Sequence, residues 1–128
     1  MELVKNSYIY WEFIRNLRNL DGVRQGFIEQ KIISRNDHEA YMKKNSDFFY
    51  ICLDNGIPIG YIGVIDGDGF RTATHPDHQG KGAGTFMTIE ASKLHPDAFA
   101  KVKINNKASI RMMEKSGFKK KYYIMVKE

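Results

Sequence analysis

The stretch HPDHQGKGAGTF, from His75 to Phe86, constrains the fold more than any other part of the chain. It follows the strand-like segment FRTAT and precedes a segment with helical spacing of apolar residues, from Thr85 to about Leu94. Glycines at such a junction let backbone N–H groups turn toward one point, because no β-carbon stands in the way. The fold is therefore expected to contain a strand, a glycine-rich loop and a helix in direct succession.

This strand–loop–helix order predicts a binding site for a phosphate group. A helix start contributes N–H groups without intrahelical partners and the positive end of the helix dipole. With the glycine amides these groups form an anion site, and Lys81 adds a positive charge at its rim. The glycine spacing fits neither the dinucleotide fingerprint nor the NTPase phosphate loop, which needs Ser or Thr directly after Gly-Lys. A glycine-rich turn without a ligand is the alternative.

Length and composition predict one globular domain over residues 1–128. A chain of 128 residues is long enough for one hydrophobic core and too short for two. The contents of 42% hydrophobic and 27% charged residues are ordinary globular values. No apolar run approaches the ~20 residues that cross a bilayer, and the N-terminus lacks the order of a signal peptide. We therefore expect a cytoplasmic protein without a membrane partner.

The net charge of +5 indicates either an anionic partner or a solubilising surface. Nucleic acid, acidic membranes and phosphorylated small molecules are the candidate partners. Residues 119–121 form the only basic triplet, which is too short to predict a nucleic-acid patch. The single cysteine, Cys52, lies in the apolar segment FFYICL, and a buried thiol is the expected role rather than a nucleophile.

Apolar periodicity and turn residues predict a mixture of helices and strands. The predicted helices span residues 7–20, 35–44, 85–94 and 107–116, with Asp21-Gly22 ending the first, Ser34 at the N-cap of the second and Gly117 as the last C-cap. The predicted strands span residues 1–4, 48–53, 59–65, 70–74, 98–104 and 118–126. DNGIP and DGDG read as turns, and DGDG lacks the further ligand positions of a calcium loop, so no metal is expected. This order predicts a single α+β domain with one mixed, mostly antiparallel central sheet flanked by helices.

Two motifs resemble the GNAT N-acetyltransferases. Gln-x-x-Gly-x-Gly, here Gln79, Gly82 and Gly84 after His75-Pro76, resembles the family's acyl-CoA pyrophosphate loop. NKASIRMMEKSGF, residues 106–118, is similar to the late segment in which Asn and Ser/Ala open a helix that ends in Glu-Lys-x-Gly-Phe. One predicted helix and one predicted strand separate the motifs, as in the family. The resemblance covers nearly the whole chain.

The resemblance implies acetyl-CoA as co-substrate, with its pantetheine arm held between two splayed strands. It places the backbones of Thr72 and Thr74 beside the pantetheine, with an N–H near Thr74 stabilising the oxyanion. The other positions that it implies for cofactor binding are Gln79, Gly80, Lys81, Gly82, Ala83, Gly84 and Thr85 around the pyrophosphate, with Asn106 and Ser109 on the late helix. Helix capping is the alternative role for the last two.

The implied reaction is direct attack of a primary amine on acetyl-CoA in a ternary complex. A base must take a proton from the amine, and the leaving thiolate takes one back. The family position that often carries a tyrosine acid is Met113 here, and a thioether donates no proton. Tyr122, Tyr123, His75 and His78 are the candidate catalytic groups, with packing or loop structure as the alternative role. The acid and base therefore stay unassigned.

The N-terminal part is a weaker match to the acceptor side of GNAT enzymes that modify ribosomal-protein N-termini or amino-sugar nucleotides. Asn19, Arg24 and His38 occupy matching places, and Arg18 and Arg24 are candidates for contacting an anionic acceptor. Solvated surface charge is the alternative role of the arginines. The basic balance of the chain disfavours a polyamine acceptor, because like charges repel.

Only ten residues follow Phe118, whereas many family members finish with a two-stranded hairpin. The last strand is therefore either missing or supplied by a partner chain, and an exposed sheet edge would favour a homodimer. Two functions of other classes are kept as alternatives. One is a non-catalytic acyl-CoA-binding protein, which the departure at Met113 allows, and the other is a small basic nucleic-acid-binding domain.

Overall fold

The computed structural model describes residues 1–28, 30–65 and 69–128. These residues form a four-stranded antiparallel sheet flanked by helices, which confirms the predicted α+β fold. The predicted DGDG turn lies outside the described residues except for Gly69. The strands, which lie side by side in chain order, are β1 (Glu2–Lys5), β2 (Phe49–Asp54), β3 (Ile57–Ile65) and β4 (Gly69–Thr74).

Five α-helices accompany the sheet in the described part of the chain. They are α1 (Trp11–Asn19), α2 (Asp21–Arg24), α3 (Arg35–Asn45), α4 (Ala83–Leu94) and α5 (Lys107–Lys115). Short 3-10 turns occupy Tyr8–Tyr10, Ser46–Phe48 and Pro76–His78. None of the described helices is long and apolar enough to span a bilayer.

The sheet separates two hydrophobic clusters, one on each face. Successive residues of β2 show the division, because Ile51 and Leu53 join one cluster and Cys52 joins the other. The first cluster packs α1 and α3 on the sheet, and the second packs α4 and α5 on the opposite face. Cys52 is fully buried, as predicted, and burial raises the pKa of its thiol, which keeps the sulfur protonated.

The first predicted helix is divided, and its predicted end is wrong. It opens with a 3-10 turn, and α1 ends at Asn19 because Leu20 adopts an extended conformation with ψ 135°. Asp21 and Gly22 then begin α2 instead of ending α1. An acidic residue favours a helix N-terminus, where it meets the positive end of the dipole.

The ends of the other long helices follow the capping signals in the sequence. Ser34 Oγ accepts a hydrogen bond from the Asp37 backbone N–H at 3.2 Å, as expected of an N-cap. α4 begins at Ala83, two residues before the predicted start, because Gly82 supplies the left-handed conformation that precedes it. Gly117 ends α5 with a φ of 94°, as predicted.

The two predicted strands in the last third of the chain are wrong. Within residues 98–104, Ala100 makes one isolated parallel bridge with Phe70, and no strand continues from it. Residues 119–128 are exposed, with Tyr122 84% and Met125 87% accessible. Strand propensity describes how well side chains fit a paired, half-buried surface. Residues 98–104 meet β4 only beside Phe70, and no described strand pairs with residues 119–128.

The cap of α3 offers a direct test of the fold. We expect Ser34→Ala to lower the free energy of unfolding by about 1 kcal/mol, because the first turn of α3 loses its side-chain acceptor. Ser7→Ala is the matched control, since Ser7 precedes the first 3-10 turn without a side-chain cap bond. Urea unfolding measures both. Equal losses in the two variants would contradict a stabilising cap at Ser34.

Candidate active site

A continuous cleft of about 1120 Å³ separates the glycine loop from the N-terminal helices. Small-molecule sites usually enclose roughly 300–1,000 Å³, so the cleft has room for more than one small substrate. We call the side formed by β4, residues 78–85 and the start of α5 the loop half. The side formed by α1, α2, α3 and residues 30–33 is the helical half.

β4 pairs with β3 on one side, and the cleft opens on its other side, beyond the short contact with residues 98–100. Phe70 N–H donates to the Phe99 carbonyl at 2.7 Å, and Phe70 bridges Ala100. Beyond this point the chain leaves the edge of β4, and Lys101 and Val102 line the cleft together with Thr72 and Thr74. The splayed strands implied by the family resemblance therefore appear as one strand, β4, and one diverging segment.

Two glycines give the loop its shape through backbone conformation. Gly80 and Gly82 both have φ of 82°, and a β-carbon at either would meet no atom within 4 Å. An L residue in this region costs roughly 1–2 kcal/mol even where space is free. Gln79 Nε2 donates to the Thr74 carbonyl at 3.3 Å, which fastens the loop to the end of β4.

The N-terminus of α4 turns toward the loop half of the cleft. The first intrahelical bond runs from Phe86 N–H to the Gly82 carbonyl at 2.9 Å. The amides of residues 83–85 precede that bond, and these residues line the cleft. Their N–H groups and the positive end of the dipole of α4 form a concentrated site for an anion.

Position 84 lacks a side chain for a different structural reason from Gly80 and Gly82. A β-carbon at Gly84 would lie 3.3 Å from Met112 Cγ, so this glycine allows α4 to pack closely on α5. Thr88 Oγ1 strengthens the same contact, since it lies 2.8 Å from the Gly84 carbonyl and 3.3 Å from Met112 Sδ. Gly84 also lines the cleft, where its missing side chain leaves room beside Met112.

Asn106 and Ser109 lie at the start of α5 and line the loop half. Asn106 Oδ1 accepts a hydrogen bond from Ser109 N–H at 3.2 Å, which is the capping role named as the alternative. The same segment reaches across to the helical half, because Lys103 Nζ donates to the Gln25 carbonyl at 3.1 Å. The two halves are thus connected at this point.

Nearly all positions expected to bind the cofactor line one cleft. They are Thr72, Thr74, Gln79, Gly80, Gly82, Ala83, Gly84, Thr85, Asn106 and Ser109. Lys81 does not line it, and its Nζ lies 3.3 Å from His78 Nδ1 on the exposed side of the loop. Lys81 therefore adds positive charge at the rim.

The candidate catalytic groups are not gathered in the cleft. Tyr122 and Tyr123 are 84% and 86% exposed, and neither lines the cleft. His75 does not line it either, and its Nδ1 accepts the Asp77 N–H at 3.1 Å. His78 lies in the lining, and Met113 is buried there.

The acceptor-side residues divide into structural ones and cleft-lining ones. Two hydrogen bonds join Asn19 to Ile33. Asn19 Nδ2 donates to the Ile33 carbonyl at 2.8 Å, and the Ile33 N–H donates to Asn19 Oδ1 at 2.9 Å. Arg24 pairs with Asp21 at 2.8 Å and lies outside the lining. Arg18 lines the helical half, with its guanidinium carbon 3.9 Å from the centre of the Phe27 ring.

Two buried residues of the cleft lining, Tyr61 and His38, were not predicted as candidate catalytic groups, although the sequence analysis named His38 as a match on the acceptor side. Tyr61 on β3 is buried, and burial raises the pKa of its phenol far above the ordinary value despite the nearby Arg18 and Arg71. His38 on α3 is 3% exposed, and burial lowers the pKa of its imidazole. The sequence does not reveal that the side chains of Tyr61 and His38 are buried, because their burial depends on contacts with elements that are distant in the chain.

Comparison with known proteins identifies the family of the chain. The acetyltransferase (GNAT) family model matches residues 11–118. No curated protein sequence matches the chain. Solved structures of low sequence identity share the fold of this chain.

The spermidine N-acetyltransferase of Vibrio cholerae, solved with CoA and spermine, is 18% identical with a TM-score of 0.78, over 96% of this chain and 83% of that one. The Salmonella typhimurium protein yncA, solved with acetyl-CoA, is 18% identical with a TM-score of 0.75, over 92% and 79%. An aminoglycoside acetyltransferase with CoA and kanamycin is 21% identical with a TM-score of 0.70, over 93% and 84%. Because the family model covers most of the sequence, the chain belongs to the acetyltransferase (GNAT) family.

Proposed function

We propose that the protein transfers an acetyl group from acetyl-CoA to a primary amine, by direct attack while both substrates occupy the cleft. One observation carries this proposal: a single cleft is lined on one side by the glycine loop and the N-terminus of α4, which are suited to hold an anion, and on the other by a helical half with room for an acceptor. Holding both reactants in one cleft turns a bimolecular reaction into a reaction within one complex.

The loop half is the proposed site of the donor. The amides of residues 80–85 would hold the pyrophosphate, with Lys81 at the rim as a further positive charge. The pantetheine arm would lie along the open edge of β4 beside Thr72 and Thr74, and Asn106 and Ser109 would contact it from α5. An N–H near Thr74 would stabilise the oxyanion as the amine attacks. The CoA and acetyl-CoA bound in the similar structures support this choice of donor.

The reaction requires the attacking nitrogen to lose two protons and the leaving thiolate to gain one. An ammonium loses one proton before its nitrogen attacks the acetyl carbon, the carbon–sulfur bond breaks, and the thiolate leaves. The second nitrogen proton is released as the amide forms, and the thiolate collects a proton. Tyr122, Tyr123 and His75 lie outside the described cleft lining, and Met113 has no proton to donate. We therefore propose water as the thiolate's proton donor.

An amino-sugar nucleotide and a protein N-terminus are the acceptors that we propose. Arg18 in the helical half and Arg71 on β4 both line the cleft, and each lies close enough to influence the buried phenol of Tyr61. An acceptor that carries phosphate or carboxylate groups would be attracted to cationic side chains. Spermine and kanamycin in the similar structures are the ligands of those proteins, and differing ligands on one fold leave the acceptor to be determined by experiment.

We also propose that the chain acts as a single domain in the cytoplasm and forms a homodimer. The exposed apolar side chains within residues 122–126 support pairing between copies. A non-catalytic acyl-CoA-binding protein is the second candidate function, because the family position that often carries a tyrosine acid is Met113 here, and a thioether donates no proton.

A screen of amines with acetyl-CoA tests the proposed reaction. We expect free thiol to appear with at least one acceptor from a panel of amino-sugar nucleotides, peptides with free N-termini, aminoglycosides and polyamines. Calorimetric titration with CoA is the parallel measurement. CoA binding without thiol release from any amine would favour the non-catalytic alternative. Absence of CoA binding would contradict the placement of the donor.

The loop conformation can be tested with two matched glycines. We expect Gly82→Val to weaken CoA binding more than tenfold, because a β-branched residue disfavours the φ of 82° that orients the neighbouring amides. Gly56→Val is the control, since Gly56 has a similar φ of 78°, also has open space around it, and lies in the β2–β3 turn outside the cleft. Unchanged CoA affinity in a folded Gly82→Val variant would remove the proposed pyrophosphate site.

A further inference from the structure

We propose that His38 is the general base of the transfer, taking a proton from the acceptor ammonium through its Nδ1 atom. This inference rests on the proposed function, since a base is needed only if an amine is acetylated. His38 lies in the helical half, on the side of the cleft proposed for the acceptor. No role in the mechanism described above uses it.

The hydrogen bonding of His38 identifies which nitrogen is free to accept a proton. Its Nε2 lies 2.9 Å from the Trp11 backbone carbonyl oxygen. A carbonyl only accepts hydrogen bonds, so Nε2 must carry a hydrogen. In the neutral ring Nδ1 then holds the lone pair. The bond to α1 therefore fixes both the tautomer and the orientation of the ring.

Burial keeps this ring in the form that a base requires. His38 is 3% exposed, and desolvation, the largest effect, lowers the pKa of its imidazole below the ordinary value of 6.5. The charged groups near it are Glu12 and Arg15 on α1 and Glu39 on α3, and they act in opposite directions. Arg15 and Glu12 pair at 3.0 Å, which reduces their separate effects on the ring. The imidazole is thus neutral at pH 7.

The proton balance of the step is complete with the groups named. Nδ1 takes one proton from the ammonium, directly or through one water molecule, and His38 becomes an imidazolium. The free amine forms the bond to the acetyl carbon, and the carbon–sulfur bond breaks. The nitrogen releases its second proton to water, and the leaving thiolate takes a proton from water. The imidazolium then returns its proton to solvent. Because the buried ring disfavours positive charge, release of that proton is favourable and restores the base.

His38→Gln separates this role from a structural one. A glutamine amide can keep donating to the Trp11 carbonyl but has no nitrogen that accepts a proton. We expect kcat/KM for the amine to fall about 100-fold or more, with CoA affinity unchanged. His95→Gln is the matched control, because His95 bonds Tyr50 at 2.9 Å outside the cleft lining, and its rate should stay within a few-fold of wild type.

The pH profile provides a readout that a structural role would not move. In the wild type, kcat/KM should fall as pH drops through the lowered pKa of His38, below 6.5, because the protonated ring cannot act as a base. That inflection should disappear in His38→Gln. The defect of the variant should also shrink as pH rises toward the amine pKa, where the amine loses its proton without help.

Three results separate the possible failures. If the wild type acetylates no amine, the proposed function fails. If the wild type is active and a folded His38→Gln variant keeps both its rate and its acidic inflection, only the role of His38 fails. If the variant does not fold, NMR titration of the His38 ring in the wild type is the test. The pKa of the ring must coincide with the inflection in the kinetic pH profile, and a mismatch overturns the inference.

Discussion

The chain after Ala100 leaves the edge of β4, and this divergence is the constraint on which the rest of the structure depends. One backbone bond to Phe99 and one bridge to Ala100 anchor residues 98–100 to the sheet, and the following residues leave it. The divergence opens the cleft, and both the glycine loop and the start of α5 line it. A continuous fifth strand at this edge would close the space in which two substrates are proposed to meet.

The loop that follows β4 uses two independent devices. Gly80 and Gly82 provide left-handed backbone turns, and Gln79 fastens the loop to the end of β4. Gly84 serves packing, because α5 approaches α4 closely only where a β-carbon is missing. The alternating glycines of this short motif therefore serve different physical roles. Substitutions at Gly80 or Gly82 are expected to change the loop, and a substitution at Gly84 is expected to change the packing of α5 on α4.

The sequence predicted local structure better than long-range pairing. The cap at Ser34, the strands β1 to β4 and the glycine loop depend on nearby residues and were recognisable. The segment 98–104 and residues 119–128 have strand-like composition, but pairing depends on a neighbour that composition does not reveal. His38 bonds the carbonyl of Trp11, 27 residues earlier, and spacing along the chain does not predict that contact.

The most direct measurement of the central claim, that the loop half binds the CoA pyrophosphate, is an amide NMR titration with CoA. We expect the largest shifts at the N–H groups of residues 80–85, with smaller changes along β4 and little change at the exposed residues 122–126. Titration with dephosphorylated pantetheine, which lacks the pyrophosphate, should leave the loop amides unshifted. Loop amides that do not respond to CoA, while shifts appear elsewhere, would contradict the claim.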